Sequence, residues 1–183
     1  MELYLIRHPR PAVAPGTCYG QTDLGLVECP DAVAARLRPM LPERHVLYSS
    51  PLSRARLLAE ALGEVRSDPR LMEIHFGEWE GRSYEDIGQV ALDAWVAAPL
   101  DFAPPGGESP RRMAERVHAF LAELQAERPE AAVIVAHGGP LRAIAGRLLG
   151  LPPEHWLGLD FACGEATRLD VHDWGTVLRW FNR

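Results

Sequence analysis

Cysteine is scarce in this 183-residue chain, and what there is does not pair. Cys18, Cys29 and Cys163 are odd in number, far apart and without a C-x-x-C spacing. That excludes a disulfide framework and a thiolate zinc site, and reduced thiols point to a cytoplasmic protein. Long hydrophobic runs are missing too. No stretch approaches the roughly 20 apolar residues of a membrane span. The apolar run at 3–6 is too short for a secretory leader, and Glu2 stands where such a leader carries positive charge. There is no excess of basic residues. The formal net charge of −6 argues against nucleic-acid and polybasic membrane partners. It leaves room for a small anionic substrate, because a few arginines focused in a cleft outweigh a diffuse negative surface. Two catalytic signatures are absent as well. Without G-x-x-x-x-G-K-[ST] there is no P-loop, and without G-x-S-x-G the segment "AHGGP" has no serine nucleophile to serve. His45, His118, His155 and His172 show no metal-ligand spacing, so no metal and no other cofactor is expected.

What is present is an ordinary globular composition, 47% apolar and 24% charged, with no repeat or dividing linker. One domain over residues 1–183 is the expectation; the oligomeric state is left open. Three times an apolar run leads through polar residues, in the later two directly into a helical pattern. Residues 2–7 end at His8, where Pro9 and Pro11 forbid a longer central strand. Residues 46–48 lead to Ser50 as a helix cap and Pro51 as the first helical residue. Residues 133–136 lead to His137, an exit at Gly138 and Gly139, and a helix opened by Pro140. Between them, Ser109 and Pro110 start an amphipathic helix with Met113, Val117, Phe120, Leu121 and Leu124 on one stripe. The chain ends in two strands turning at 172–175. Strands alternating with helices imply an α/β fold, a three-layer α/β/α sandwich around a mostly parallel sheet.

In such sheets ligands bind at the carboxyl ends of the strands, where Arg7, His8 and His137 fall, with Arg54 in the first turn of a following helix. A neutral imidazole is a competent nucleophile toward phosphorus. Arginines, a protonated His137 and helix amino-termini suit the charge that develops on a phosphoryl group.

The motifs "LIRH" (5–8), "SSPLSRAR" (49–56), "LMEIHFGEWEG" (71–81), "PGGES" (105–109) and "VAHGGPLRAI" (135–144) resemble, in order and across about the whole chain, the histidine phosphatase superfamily. That group holds the phosphoglycerate mutases and small phosphatases such as α-ribazole phosphatase. The resemblance implies a phosphoglycerate mutase-like fold and a phosphomonoesterase in which His8 is phosphorylated. It also implies that Arg7, Arg54 and His137 bind the phosphoryl group and Glu73 moves the proton. A small phosphorylated metabolite, with α-ribazole 5′-phosphate the leading named candidate, is the implied substrate. Gln21 and Thr22, in "CYGQTD", align with a phosphate-contacting segment, and Gly138 follows the second histidine. Glu80 is expected to support the surroundings of Glu73. Pro9 departs from the glycine usual after the nucleophile, which removes an N–H. Two alternatives stand beside the phosphatase: a mutase, for which 183 residues leave little lid, and a non-catalytic phospho-ligand module, against which His8 with Glu73 argues.

Overall fold

The computed structural model describes all 183 residues. Its strands are β1 (Glu2–Arg7), β2 (Val46–Ser49), β3 (Arg66–Ser67), β4 (Ala131–Ala136), β5 (Ala166–His172) and β6 (Gly175–Trp180). They form one sheet in the order β3-β2-β4-β1-β5-β6. The first four are parallel and the last two antiparallel, so the sheet is mostly parallel, with the terminal hairpin at one edge. The helices are α1 (Pro30–Leu37), α2 (Ser53–Leu62), α3 (Tyr84–Ile87), α4 (Gln89–Ala97), α5 (Pro110–Glu127) and α6 (Gly138–Leu148).

The unalternated apolar run of β1 is explained by cover on both faces. Leu3 and Leu5 join a core with α5 and α6, built on Val117, Phe120, Leu121, Leu141 and Ile144. Tyr4 and Ile6 join the opposite core with α1 and α2, built on Val33, Leu37, Ala55 and Leu58. β4 divides its residues the same way, and the three-layer arrangement follows. Helix α5 is as its pattern predicts: Ser109 accepts the N–H of Arg112 and the five stripe residues are buried.

Two helix starts differ from expectation. Helix α2 begins at Ser53, and its free N–H is capped by Asp23, whose Oδ1 accepts from Ser53 N at 2.9 Å and Oγ at 2.7 Å. Ser50 is therefore not the cap. Helix α6 begins at Gly138 directly after His137, so Pro140 is its third residue and the two glycines are helical.

Residues 82–108 contain α3 and α4. They pack through a small third cluster of Cys18, Trp79 and Ile87, with Phe76, Trp95 and Phe102 against it. Gly77 anchors this cluster at φ +55°, where a Cβ would overlap the Pro105 carbonyl and the backbone of Gly106 and Gly107. Gly77→Ala is expected to cost about 2 kcal/mol or more, from left-handed strain plus overlap. Thermal melting should show a fall of about 5 °C or more. Gly25→Ala, where a Cβ meets nothing, is the control and should melt as the parent does.

Candidate active site

Parallel pairing sets the centre of the site. Arg7 is in register with Ala136, so His8 and His137 leave adjacent strand ends together. Their rings lie 5.0 Å apart between centroids, tilted by 56°, and both side chains are buried. His8 Nδ1 is 2.7 Å from the carbonyl oxygen of Pro9, which can only accept, so Nδ1 carries the proton and Nε2 presents a lone pair. Proline in this position thus retains the group that orients the imidazole. Burial lowers the His8 pKa from 6.5 to about 3, helped by Arg54 and Arg7 and opposed by the Pro9 carbonyl. The ring is a neutral base with its free nitrogen exposed to chemistry.

The charge around it comes from arginine, the only basic residue besides histidine in the chain. Arg54 is fully buried in the first turn of α2. It donates to the carbonyls of Gly20 and Thr22 and, through Nε, to His137 Nδ1 at 3.2 Å. Arg7 donates Nη1 to Phe161 O at 2.6 Å, while its buried Nε has no partner. A buried N–H without an acceptor is costly, and an anionic oxygen beside it removes that cost. His137 was expected to act as a cation, and here the geometry differs. Burial, and then the neighbouring His8, Arg54 and Arg7, hold its pKa well below 6.5, so the ring is neutral.

Glu73 lies at the amino-terminus of α6. Its Oε2 accepts the N–H of Gly139 at 3.2 Å and its Oε1 that of Ile74 at 2.9 Å. The helix dipole favours a negative group there. The main chain at Glu73 is pinned, because its carbonyl accepts from Gln21 Nε2 and Arg116 Nη2, each at 3.0 Å. Arg116 is itself paired with Glu108 of the "PGGES" segment.

Gln21 and Thr22 sit at the same crevice with their donors engaged. Besides Gln21 Nε2, the N–H of Gln21, the N–H of Thr22 and the Thr22 hydroxyl all go to Glu80. Glu80 also takes the N–H of Phe76, and so ties the segment after β1 to that bearing Glu73. Gly138 packs closely against two arginines: a Cβ there would stand 3.2 Å from Arg142 Nη1 and 3.7 Å from Arg7 Cζ.

Arg142 is a site residue that sequence reasoning missed. Four residues on from Gly138, it reaches back along α6 beside Arg7, with Nε donating to Leu159 O at 2.9 Å. Its one ion pair is a 3.5 Å contact with the exposed Asp160. The i, i+4 spacing from Gly138 was the available signal.

The family model for the histidine phosphatase superfamily (branch 1) matches residues 3–183. Glucosyl-3-phosphoglycerate phosphatase of Mycobacterium tuberculosis is 36% identical over 177 residues, covering 86% of this chain and 79% of the relative. Adenosylcobalamin/alpha-ribazole phosphatase of Salmonella typhimurium is 29% identical over 191 residues, covering 91% and 94%. The crystal structure of the alpha-ribazole phosphatase from Shigella flexneri superposes with a TM-score of 0.89 at 27% identity, covering 100% of this chain and 96% of that one. With the match spanning nearly every residue from the first strand to the last, the chain belongs to the histidine phosphatase superfamily.

Proposed function

We propose that the chain acts as a single domain over residues 1–183, a cytoplasmic phosphatase that hydrolyses a small phosphorylated metabolite through a phosphohistidine at His8. The observation that carries this reading is the neutral His8, its Nε2 free, set among Arg7, Arg54 and His137. Nε2 attacks phosphorus while the guanidinium groups hold the phosphoryl oxygens, and Glu73 protonates the departing alkoxide. Water, deprotonated by the same carboxyl group, then attacks phosphohistidine and regenerates the ring. Gln21, Thr22 and Gly138 shape the crevice around these groups. A panel of phosphorylated metabolites tests the reading, with α-ribazole 5′-phosphate included because relatives and structural neighbours are named for it. Hydrolysis with labelled phosphate passing through His8 supports it; binding without turnover would indicate a phospho-ligand module, and transfer to an alcohol a mutase.

Arg142 favours a more specific substrate. It stands beside Arg7 and near Glu73, whose charges act on it in opposite directions. Glu73 serves the leaving oxygen and Arg7 the phosphoryl group, so a cation acted on by both stands where the leaving group joins the phosphoryl group. An alcohol bearing a carboxylate fits there, and a relative is named for the ester glucosyl-3-phosphoglycerate. The matched probes are 3-phosphoglycerate and glycerol 3-phosphate, which differ in carboxylate against hydroxymethyl. Arg142→Gln is expected to lower the ratio of their kcat/KM values about 10- to 100-fold, the worth of one charge-assisted hydrogen bond. An unchanged ratio would assign Arg142 to packing alone.

A further inference from the structure

Asn182 has a backbone φ of +53°, a left-handed value that asparagine tolerates better than most residues. Its side chain is turned onto the loop 159–165 that precedes β5. The segment carrying it is fixed to the start of β5. Arg183 and Ala166 exchange both backbone bonds, at 2.8 and 2.9 Å, and Asn182 N–H donates to Thr167 Oγ1 at 3.3 Å. None of these bonds enters the phosphoryl chemistry described above.

The loop they hold orients the arginine beside the nucleophile. Phe161 O accepts Arg7 Nη1 at 2.6 Å, and Gly164 N–H is shared by the carbonyls of Arg7 and His8 at 3.0 and 3.1 Å. Asn182 grips this loop on both sides of Phe161: Oδ1 accepts Ala162 N–H at 3.0 Å and Nδ2 donates to Asp160 O at 2.7 Å. The amide can face only this way, since Ala162 N–H must donate and Asp160 O must accept. The Phe161 carbonyl and the Ala162 N–H belong to one peptide unit. In a planar trans unit they point in opposite directions, so Asn182 holds one end and Arg7 the other. Rotation of that plane would break both bonds together. The buried Phe161 ring, 5.0 Å from that of Phe181 between centroids, anchors the side chain, while the Asn182 amide sets the tilt of the peptide after it. Arg7 needs that constraint. Its buried Nε has no protein acceptor, and the bond to Phe161 decides where this group stands. Guanidinium binding of phosphoryl oxygens depends on a pre-set fork, which a freed side chain loses.

We propose that Asn182 is a positioning residue for Arg7, holding the 161–162 peptide so that the Phe161 carbonyl fixes the guanidinium that binds the phosphoryl group. The inference rests on the reading of Arg7 as part of a phosphoryl site.

Asn182→Gly keeps the left-handed backbone without strain and removes the amide. Hydrolysis of a nitrophenyl phosphate is to be measured for the wild-type protein, Asn182→Gly, Arg7→Gln and the double variant, with thermal melting to confirm that each is folded. Asn182→Gly is expected to lower kcat/KM about 10- to 100-fold in the wild-type background and less than about twofold in the Arg7→Gln background, because the two residues act through one contact. An asparagine that only stabilises the fold would cost the same in both. Asn182→Asp, which still offers an oxygen to Ala162 N–H, should recover most of the loss. Nitrogen NMR of the ligand-free protein should show Arg7 Nε–H protected from hydrogen exchange, and in Asn182→Gly exchanging about tenfold or more faster. Equal losses in the two backgrounds would overturn the proposal, as would an Arg7 signal unmoved by the glycine. If the wild-type protein hydrolyses no phosphomonoester, it is the reading of the site that fails, and this inference with it.

Discussion

Replacing His8 with alanine is expected to lower turnover on the order of 10⁴-fold or more, since a nucleophile is lost rather than a contact weakened. Rapid quench of the wild-type protein with a labelled phosphomonoester should trap an acid-labile, base-stable label on His8, and the variant should trap none. Full turnover by His8→Ala would rule out the covalent route. The structure adds a signature in pH. With burial lowering its pKa to about 3, the His8 ring should show the neutral Nδ1–H tautomer by nitrogen NMR throughout the neutral range. The same shift links to stability. Between 6.5 and about 3 the unfolded chain binds the proton at this residue and the folded one does not. The contribution is therefore complete above 6.5 and is lost as pH falls through that window. Urea unfolding of His8→Ala from pH 7 to 4 should accordingly show a shallower acid decline than the wild-type protein.

Glu73→Gln should slow phosphorylation of His8 by about 10²- to 10⁴-fold with an alkyl phosphate, the usual range for a lost general acid. A nitrophenyl ester should show a smaller defect, because its leaving oxygen needs less protonation. Pre-steady-state measurement of the phosphorylation step is required, since steady-state rates can be limited by hydrolysis of phosphohistidine. Equal defects with both esters would make Glu73 a positioning group. The neighbouring carboxylates are distinguished by geometry. Glu80 is committed to donors from Gln21, Thr22 and Phe76, whereas Glu78 is exposed in the turn after Gly77. Glu80→Gln should lower activity with both esters alike, through loss of the tie between the two site segments. A larger alkyl-selective defect in Glu78→Gln or Glu80→Gln would move the acid role to that residue.

Much of the architecture was legible without coordinates. The unalternated run before His8, the stripe of α5 with its Ser109 cap, and the proline stop after β1 are local signals. Each is read from burial pattern or backbone chemistry within a few residues. They placed Arg7, His8 and His137 at strand ends and Arg54 in the first turn of the helix that follows, and the ordered motifs added Glu73. The errors fell where a local signal had a distant competitor. Ser50 looked like the cap of α2, but Asp23 fills that role and the serine hydroxyl turns to His137.

What the sequence determined by itself was therefore the succession of strands and helices, and which chemical groups arrive at the carboxyl edge of the sheet. The tertiary structure decided which atom of each group meets which. Arg54 and His137 are 83 residues apart and Ser50 and His137 are 87 apart. Arg142 meets Arg7 only because α6 starts at a glycine beside β1. Such pairings depend on strand register and helix placement, and these are set by packing of the whole chain. Tautomer, proton location and local charge follow from those contacts, so they could be read only once the fold had brought the residues together.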